Sequence, residues 1–140
     1  MGVDRTVRLQ AFEPHHVAEL VRLCVSEGWM SYADPVVALR ALTAPGSIAV
    51  VAVEDGGTVV GFVQLQSDGV VHAHVSNILV APSHRRRRIG RRLLEHAFAR
   101  SGAQYLDLVS TEGFDGFYRF FDHKEFRGFR LYPKSVATVR

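Results

Sequence analysis

Three runs rich in β-branched residues, SIAVVAVED, TVVGFVQLQ and VVHAHVSNILVAP, follow one another with only Gly56-Gly57 and Asp68-Gly69 between them. Strand-length runs joined by such short turn-forming pairs can only double back on themselves. Residues 48–80 are therefore predicted to form an antiparallel meander. Upstream, Thr6–Phe12 alternates like a first strand. Pro14 opens a helical pattern that runs through Glu27 to a stop at Gly28, and Asp34 and Pro35 offer an N-cap and first turn for a short second helix that Pro45-Gly46 ends. Downstream, a helix is expected from about Ile89 to Arg100, stopped by Ser101-Gly102. A strand in QYLDLVST, a short aromatic helix in GFDGFYRFFDH and a last strand in FRGFRLYP follow. The order β-α-α-β-β-β-α-β-α-β describes one α/β domain over residues 1–140, a mixed, mostly antiparallel sheet flanked by helices.

The 140 residues suffice for a real core, and no apolar run approaches the roughly 20 residues needed to cross a bilayer. The N-terminal MGVDRTVRLQAF has no apolar signal core, so the chain is expected in the cytoplasm. Met-Gly-x-x-x-Thr at its start matches a loose myristoylation pattern, but the alternation of TVRLQAF favours a strand. Cys24 is the only cysteine, which excludes an internal disulfide and a multi-cysteine zinc site. It falls in the apolar stripe Val17, Leu20, Val21, Cys24, Val25 and reads as a core thiol.

The formal net charge is +3, yet Arg85, Arg86, Arg87, Arg88, Arg91 and Arg92 alone contribute six positive charges. The basicity is local. It lies where Val80-Ala81-Pro82 ends a strand and a helix begins, and free N–H groups at a helix start bind anions. From the residues alone the run reads equally as a phosphate cradle or a solvated basic helix start. A nucleic-acid patch is disfavoured, because no aromatics are interleaved and no DNA-binding motif is present.

This junction resembles motif A of the GCN5-related N-acetyltransferases (GNAT), Gln/Arg-x-x-Gly-x-Gly/Ala after a strand ending in Val-x-Pro and before Gly-x-x-Leu-Leu. The corresponding residues are Val80-Ala81-Pro82, Arg85 through Gly90, and Leu93-Leu94. The order of elements is similar along essentially the whole chain and implies the acyl-CoA N-acyltransferase fold. By this resemblance acetyl-CoA is the co-substrate. Its pyrophosphate would meet the backbone of Arg85, Arg86, Arg87, Arg88, Ile89, Gly90 and Arg91. Arg88 stands where the motif has its first glycine; ordinary helical angles are expected there, at which arginine costs nothing, whereas positive φ would strain it.

The resemblance also implies chemistry. A backbone N–H near Ile78 and Leu79 would polarise the thioester carbonyl, and Val80 would pair with the pantetheine arm. His74 lies eleven residues before Arg85, where histone-acetylating members carry a catalytic glutamate, and an imidazole near pH 6.5 suits a general base. His72 shares its face, and a hydrogen-bonded strand residue or pocket wall is the competing reading for His74. No third ligand makes a His-x-His metal site, and no metal is required. Tyr118, in a Phe-Tyr pair on the aromatic helix, would be the general acid; Phe114, Phe117, Phe120 and Phe121 around it leave an aromatic-core reading open. The motif's following Gly-Phe is Asp122-His123 here, and its usual helix-opening asparagine is missing near Thr111.

Trp29 and Tyr32, in GWMSYAD, would bind the acceptor or cap the core. Glu112, Asp115, Asp122 and Glu125 read as a solvated face. The implied function is transfer of an acetyl group to a primary amine, on a small molecule or a peptide, by direct attack in a ternary complex. Cys24 is misplaced for a covalent route. Homodimers are common in such folds. The alternative is a non-catalytic acyl-CoA-binding or protein-interaction domain on the same fold, a reading that Arg88 favours.

Overall fold

The computed structural model describes residues Thr6–Pro133; the myristoylation pattern at Gly2 lies outside them. These residues fall into two compact units, one ending at Asp107 and one beginning at Leu108.

The first unit is a five-stranded sheet in the order β1-β2-β3-β4-β5. Strands β1 (Val7–Ala11), β2 (Ser47–Glu54), β3 (Val59–Ser67) and β4 (His72–Val80) pair antiparallel, and β5 (Tyr105–Asp107) runs parallel to β4. The predicted meander is present, with its turns at the two glycine-containing pairs. Between β1 and β2 lie α1 (Val17–Ser26), entered through a 3-10 turn at Pro14–His16, and α2 (Pro35–Leu42), entered through a second at Met30–Tyr32. Asp34 caps α2 as expected, its Oδ1 accepting the Val36 N–H at 2.8 Å.

Both faces of the sheet are covered, so β2 and β3 carry near-continuous apolar runs. On one face, Leu20, Leu23 and Cys24 of α1 and Ala38 and Leu42 of α2 pack with Val51, Val53, Phe62 and Leu79. On the other lies α3 (Ile89–Ser101), burying Ile89, Leu93, Leu94 and Ala97. Its approach is close enough that a Cβ at Gly61 would sit 3.3 Å from Leu93 Cδ1 and 3.1 Å from the Leu79 carbonyl oxygen. Gly102 ends α3 at φ +72°, hard against Gly69 in the β3–β4 turn.

His16 is buried beside α1. It accepts the Glu13 backbone N–H on Nδ1 at 2.9 Å, and its Nε2 lies 2.8 Å from Gln10 Nε2. Burial holds its pKa below the usual imidazole value, with His15 adding to the effect and Glu13 opposing it.

The second unit contains α4 (Asp115–Arg119). The strand expected in QYLDLVST is only three residues long, and the last expected strand, over 126–133, does not form. Phe126 is out of phase with Phe129 and Leu131, so no single face gathers the apolar side chains; these are 74%, 75% and 86% exposed.

Candidate functional site

The strand-to-helix junction is built by an abrupt change of backbone. Arg85 is extended, at φ −73° and ψ 161°, and shortly after it α3 begins. The chain makes this turn by putting both Arg86 and Arg88 in the left-handed region, at φ +64° and +63°. The expectation of ordinary helical angles at Arg88 is thus overturned. The turn demands a conformation that suits glycine, and arginine adopts it at a cost of about 1–2 kcal/mol per residue.

The same turn leaves useful groups open. The first helical hydrogen bond in this turn runs from the Arg92 N–H to the Arg88 carbonyl at 3.0 Å. The N–H groups of Ile89 and Gly90 precede it and have no helical acceptor among the described residues. Arg86 and Arg88 are left-handed on either side of Arg87, the kind of backbone turn in which successive N–H groups can face an anion. Arg92 Nη1 is buried with no hydrogen-bond partner among the described residues. N–H groups outside the helical ladder, a helix dipole and guanidinium charge fit an anionic pyrophosphate. Ile89 itself is a core side chain, so only its backbone is on offer.

The loop is held from two sides. His84 Nε2 lies 2.6 Å from Glu54 Oε2 at the end of β2. Arg85 Nη2 donates to Glu27 Oε1 at 3.1 Å, just past α1, and its Nε donates to the Val80 carbonyl at 3.0 Å. The Arg85 side chain is therefore a clamp between strand end and helix end.

Strand β4 supplies the remaining expected residues of this unit. Its ladder with β3 slips between Gln64 and Leu65: Gln64 pairs with Asn77 and Leu65 with Val75, so Ser76 is an extra, bulged residue. His74 pairs with Gln66, so it shares a face with Asn77 across the bulge. The His74 side chain is exposed and lines an open groove of about 420 Å³ with His72, Gln66, Ser67, Pro45 and Gly46. His72 is engaged elsewhere, its Nε2 2.9 Å from Asp107 Oδ2. Nearby Asp68 accepts the N–H groups of Val70, Val71 and His72, which hold its carboxyl below the usual range. Because β5 pairs with β4 only at His72–His74, Ile78, Leu79 and Val80 have no ladder partner on that side among the described residues.

Trp29 and Tyr32 both pack against the core cluster between the helices and the sheet. The Tyr32 hydroxyl is fully engaged inside the protein, bonded to Gln64 and Asn77. Burial pushes its phenol above the usual value. Cys24 is fully buried, and burial pushes its thiol up to about 11, which keeps it un-ionised. In the second unit, Tyr118 is half-buried on α4 with the Phe117 ring edge-on at 5.0 Å, and burial raises its phenol. The acidic residues around it are paired locally. Asp115 accepts from Ser110 at 2.6 Å, and Glu125 accepts from Arg119 at 3.0 Å, which holds Glu125 low.

The sequence pattern does not single out Asn77 and Gln64 as site residues. The signal it does carry is a polar amide in each of two otherwise apolar stretches, FVQL and NILV.

A sequence model of the Acetyltransferase (GNAT) family matches residues 10–121. Direct comparison with curated proteins finds no match. Solved structures of similar fold include a GNAT-family acetyltransferase of Streptococcus pneumoniae, 24% identical over 91% of this chain and 98% of that one, with a TM-score of 0.73. The ribosomal-protein-alanine N-acetyltransferase of Brucella melitensis biovar Abortus is 19% identical over 91% and 99%, at 0.74. The glucosamine-6-phosphate N-acetyltransferase of Arabidopsis thaliana is 12% identical over 92% and 100%, at 0.71. At these identities the likeness is one of fold.

Proposed function

The chain belongs to the GNAT acetyltransferase family, and on that footing we propose that it is an acetyl-CoA-dependent N-acetyltransferase acting on a primary amine. The family match spans residues of both compact units, which supports reading residues 1–140 as one catalytic domain. The observation that carries the proposal is the junction at the start of α3, where the N–H groups of Ile89 and Gly90 lie outside the helical ladder and guanidinium charge is gathered, a combination that fits a pyrophosphate. No helix among the described residues is long and apolar enough to cross a membrane.

When bound, acetyl-CoA supplies an acetyl thioester whose acyl–sulfur bond is exchanged for an amide. The N–H groups of Ile89 and Gly90 would hold its phosphates, and the unpaired edge of β4 at Ile78, Leu79 and Val80 would take the pantetheine arm and polarise the acyl carbonyl. His74, exposed on the groove, accepts the proton released as the amine nitrogen forms its new bond. Tyr118, kept protonated by burial, donates a proton to the departing sulfur. Cys24, sealed in the core, takes no part. The acceptors named for structural relatives, a ribosomal-protein alanine and glucosamine 6-phosphate, define the amines to try first.

The test is thermal unfolding with and without acetyl-CoA, followed by calorimetric titration and an amine screen. A ligand at 100 times its dissociation constant adds about 2.7 kcal/mol. One-to-one binding and turnover of an amine support the proposal. Binding without turnover favours a non-catalytic acyl-CoA-binding domain, for which the two strained arginines already speak. No binding, with salt-sensitive binding to DNA, would refute both.

A further inference from the structure

On the α1–α2 face of the sheet runs a chain of hydrogen bonds whose polarity is forced at every step. It begins at the Ala41 carbonyl, which can only accept. Gln64, 1% exposed, donates one Nε2 hydrogen to it at 2.9 Å and the other to Ser47 Oγ at 3.0 Å. Ser47 passes its own hydrogen to the Leu42 carbonyl at 3.1 Å. With both amide hydrogens used, the Gln64 carboxamide has one orientation, and its Oε1 faces Tyr32. A carbonyl oxygen cannot donate, so the Tyr32 phenol donates to it. That spends the only hydroxyl hydrogen, so toward its next partner the Tyr32 oxygen accepts, from Asn77 Nδ2 at 2.6 Å. Asn77 is therefore fixed as well, with Nδ2 toward Tyr32 and Oδ1 on the other side. Among the described residues nothing donates to that Oδ1, and it is not sealed from solvent.

The position of this free acceptor is specific. The bulge at Ser76 places Asn77 next after His74 on the same strand face, and Asn77 directly precedes Ile78, within the stretch of β4 beyond its last pairing with β5 at His74. A neutral primary amine has two N–H hydrogens and one lone pair. If one hydrogen is held by Asn77 Oδ1 and the other faces His74, the lone pair is left for the acyl carbon. A secondary amine has only one hydrogen and must forgo one of the two contacts.

We propose that Asn77 is a specificity-determining residue of the acceptor site, its Oδ1 accepting an N–H of the incoming amine and favouring primary over secondary amines, with Tyr32 and Gln64 as the positioning residues that hold it in that sense. The proposal rests on the acetyltransferase reading above.

The probe is the best acceptor among spermidine, glucosamine 6-phosphate, kanamycin and an alanine-N-terminal peptide, together with its N-methyl derivative. Asn77→Leu, close in shape and without an acceptor, should raise the amine KM about tenfold, the worth of a positioned hydrogen bond. It should also narrow the preference for the primary amine over its N-methyl form, while the Kd for acetyl-CoA stays at the wild-type value. Asn77→Asp, which keeps an acceptor oxygen, should retain more of that preference than Leu. Tyr32→Phe, which deletes one oxygen and frees the amide to turn, should move both quantities in the same direction by a smaller factor, and it carries the test if Asn77→Leu does not fold. Unchanged amine KM and unchanged primary-to-N-methyl ratio, in a folded variant that binds acetyl-CoA, would overturn the assignment while leaving the acetyltransferase reading intact. A wild-type protein that binds acetyl-CoA but acetylates none of the four amines would overturn both.

Discussion

Replacing Arg88 with glycine should make this protein more stable, although it removes a side chain and gains no contact. Arg88 sits at φ +63° and ψ 15°, where an L-residue carries about 1–2 kcal/mol of steric cost. Glycine is free of that cost but loosens the unfolded chain, which takes back about 0.4–1 kcal/mol. The net gain is about 0.5–1 kcal/mol, or a rise in Tm of about 2–5 °C for a chain of this size. Arg88→Gly also lowers the charge of a crowded basic loop, so Arg88→Ala is the necessary companion: it loses the same charge and keeps the Cβ. Glycine should exceed alanine by about 1 kcal/mol in chemical denaturation, at low and high salt alike. Arg86→Gly, at φ +64°, should behave likewise, but the two sites are too close for their gains to add freely. An alanine variant as stable as the glycine variant at both salts would mean that the backbone here is not left-handed, and the strain argument would fail.

Three other outcomes are expected. Gly102→Ala would bring its Cβ 2.6 Å from the Gly69 carbonyl oxygen at a left-handed φ, and should cost about 2–4 kcal/mol in denaturant titration; Gly116→Ala, with open space around it, should cost nothing comparable. His16 has its pKa lowered in the fold from 6.5, so the unfolded chain takes up the proton first: stability is full above about pH 6.5, falls as pH drops toward the folded value, and levels below it. Denaturation at a series of pH values should show this loss shrinking in His16→Gln, and an identical loss would remove His16 as its source. Tyr118→Phe and His74→Ala should each lower turnover with the acetyl-CoA Kd kept; full activity in either variant would dismiss that residue from proton transfer.

The parts of the fold that local chemistry determines are legible in the sequence. Gly56-Gly57 and Asp68-Gly69 mark the meander turns, Asp34-Pro35 starts α2, and the spacing Ile89, Leu93, Leu94, Ala97 places α3 and its buried face. What is hidden there depends on pairing between distant residues. Ser76 is an ordinary strand residue by type, and only the register against Gln64 and Leu65 makes it a bulge. Read at period two, Asn77 belongs to the face opposite His74; the bulge brings them to the same side. Arg85 looks like one more cation for a phosphate until Glu27, 58 positions away, claims it. The left-handed angles of Arg86 and Arg88 are hidden for a different reason, since the residue type argues against the conformation that the turn into α3 imposes. FRGFRLYP has the composition of a strand and not its phase.

The side-chain contacts that fasten the junction, Glu54 with His84 and Glu27 with Arg85, have a kinetic consequence. Both form within the folded chain, so the loop's ordering entropy is spent during folding and not again when an anion arrives. Association is then governed by encounter. The arginine side chains that remain exposed around the clamp would act at a distance as a steering field for a polyanion, one that salt weakens.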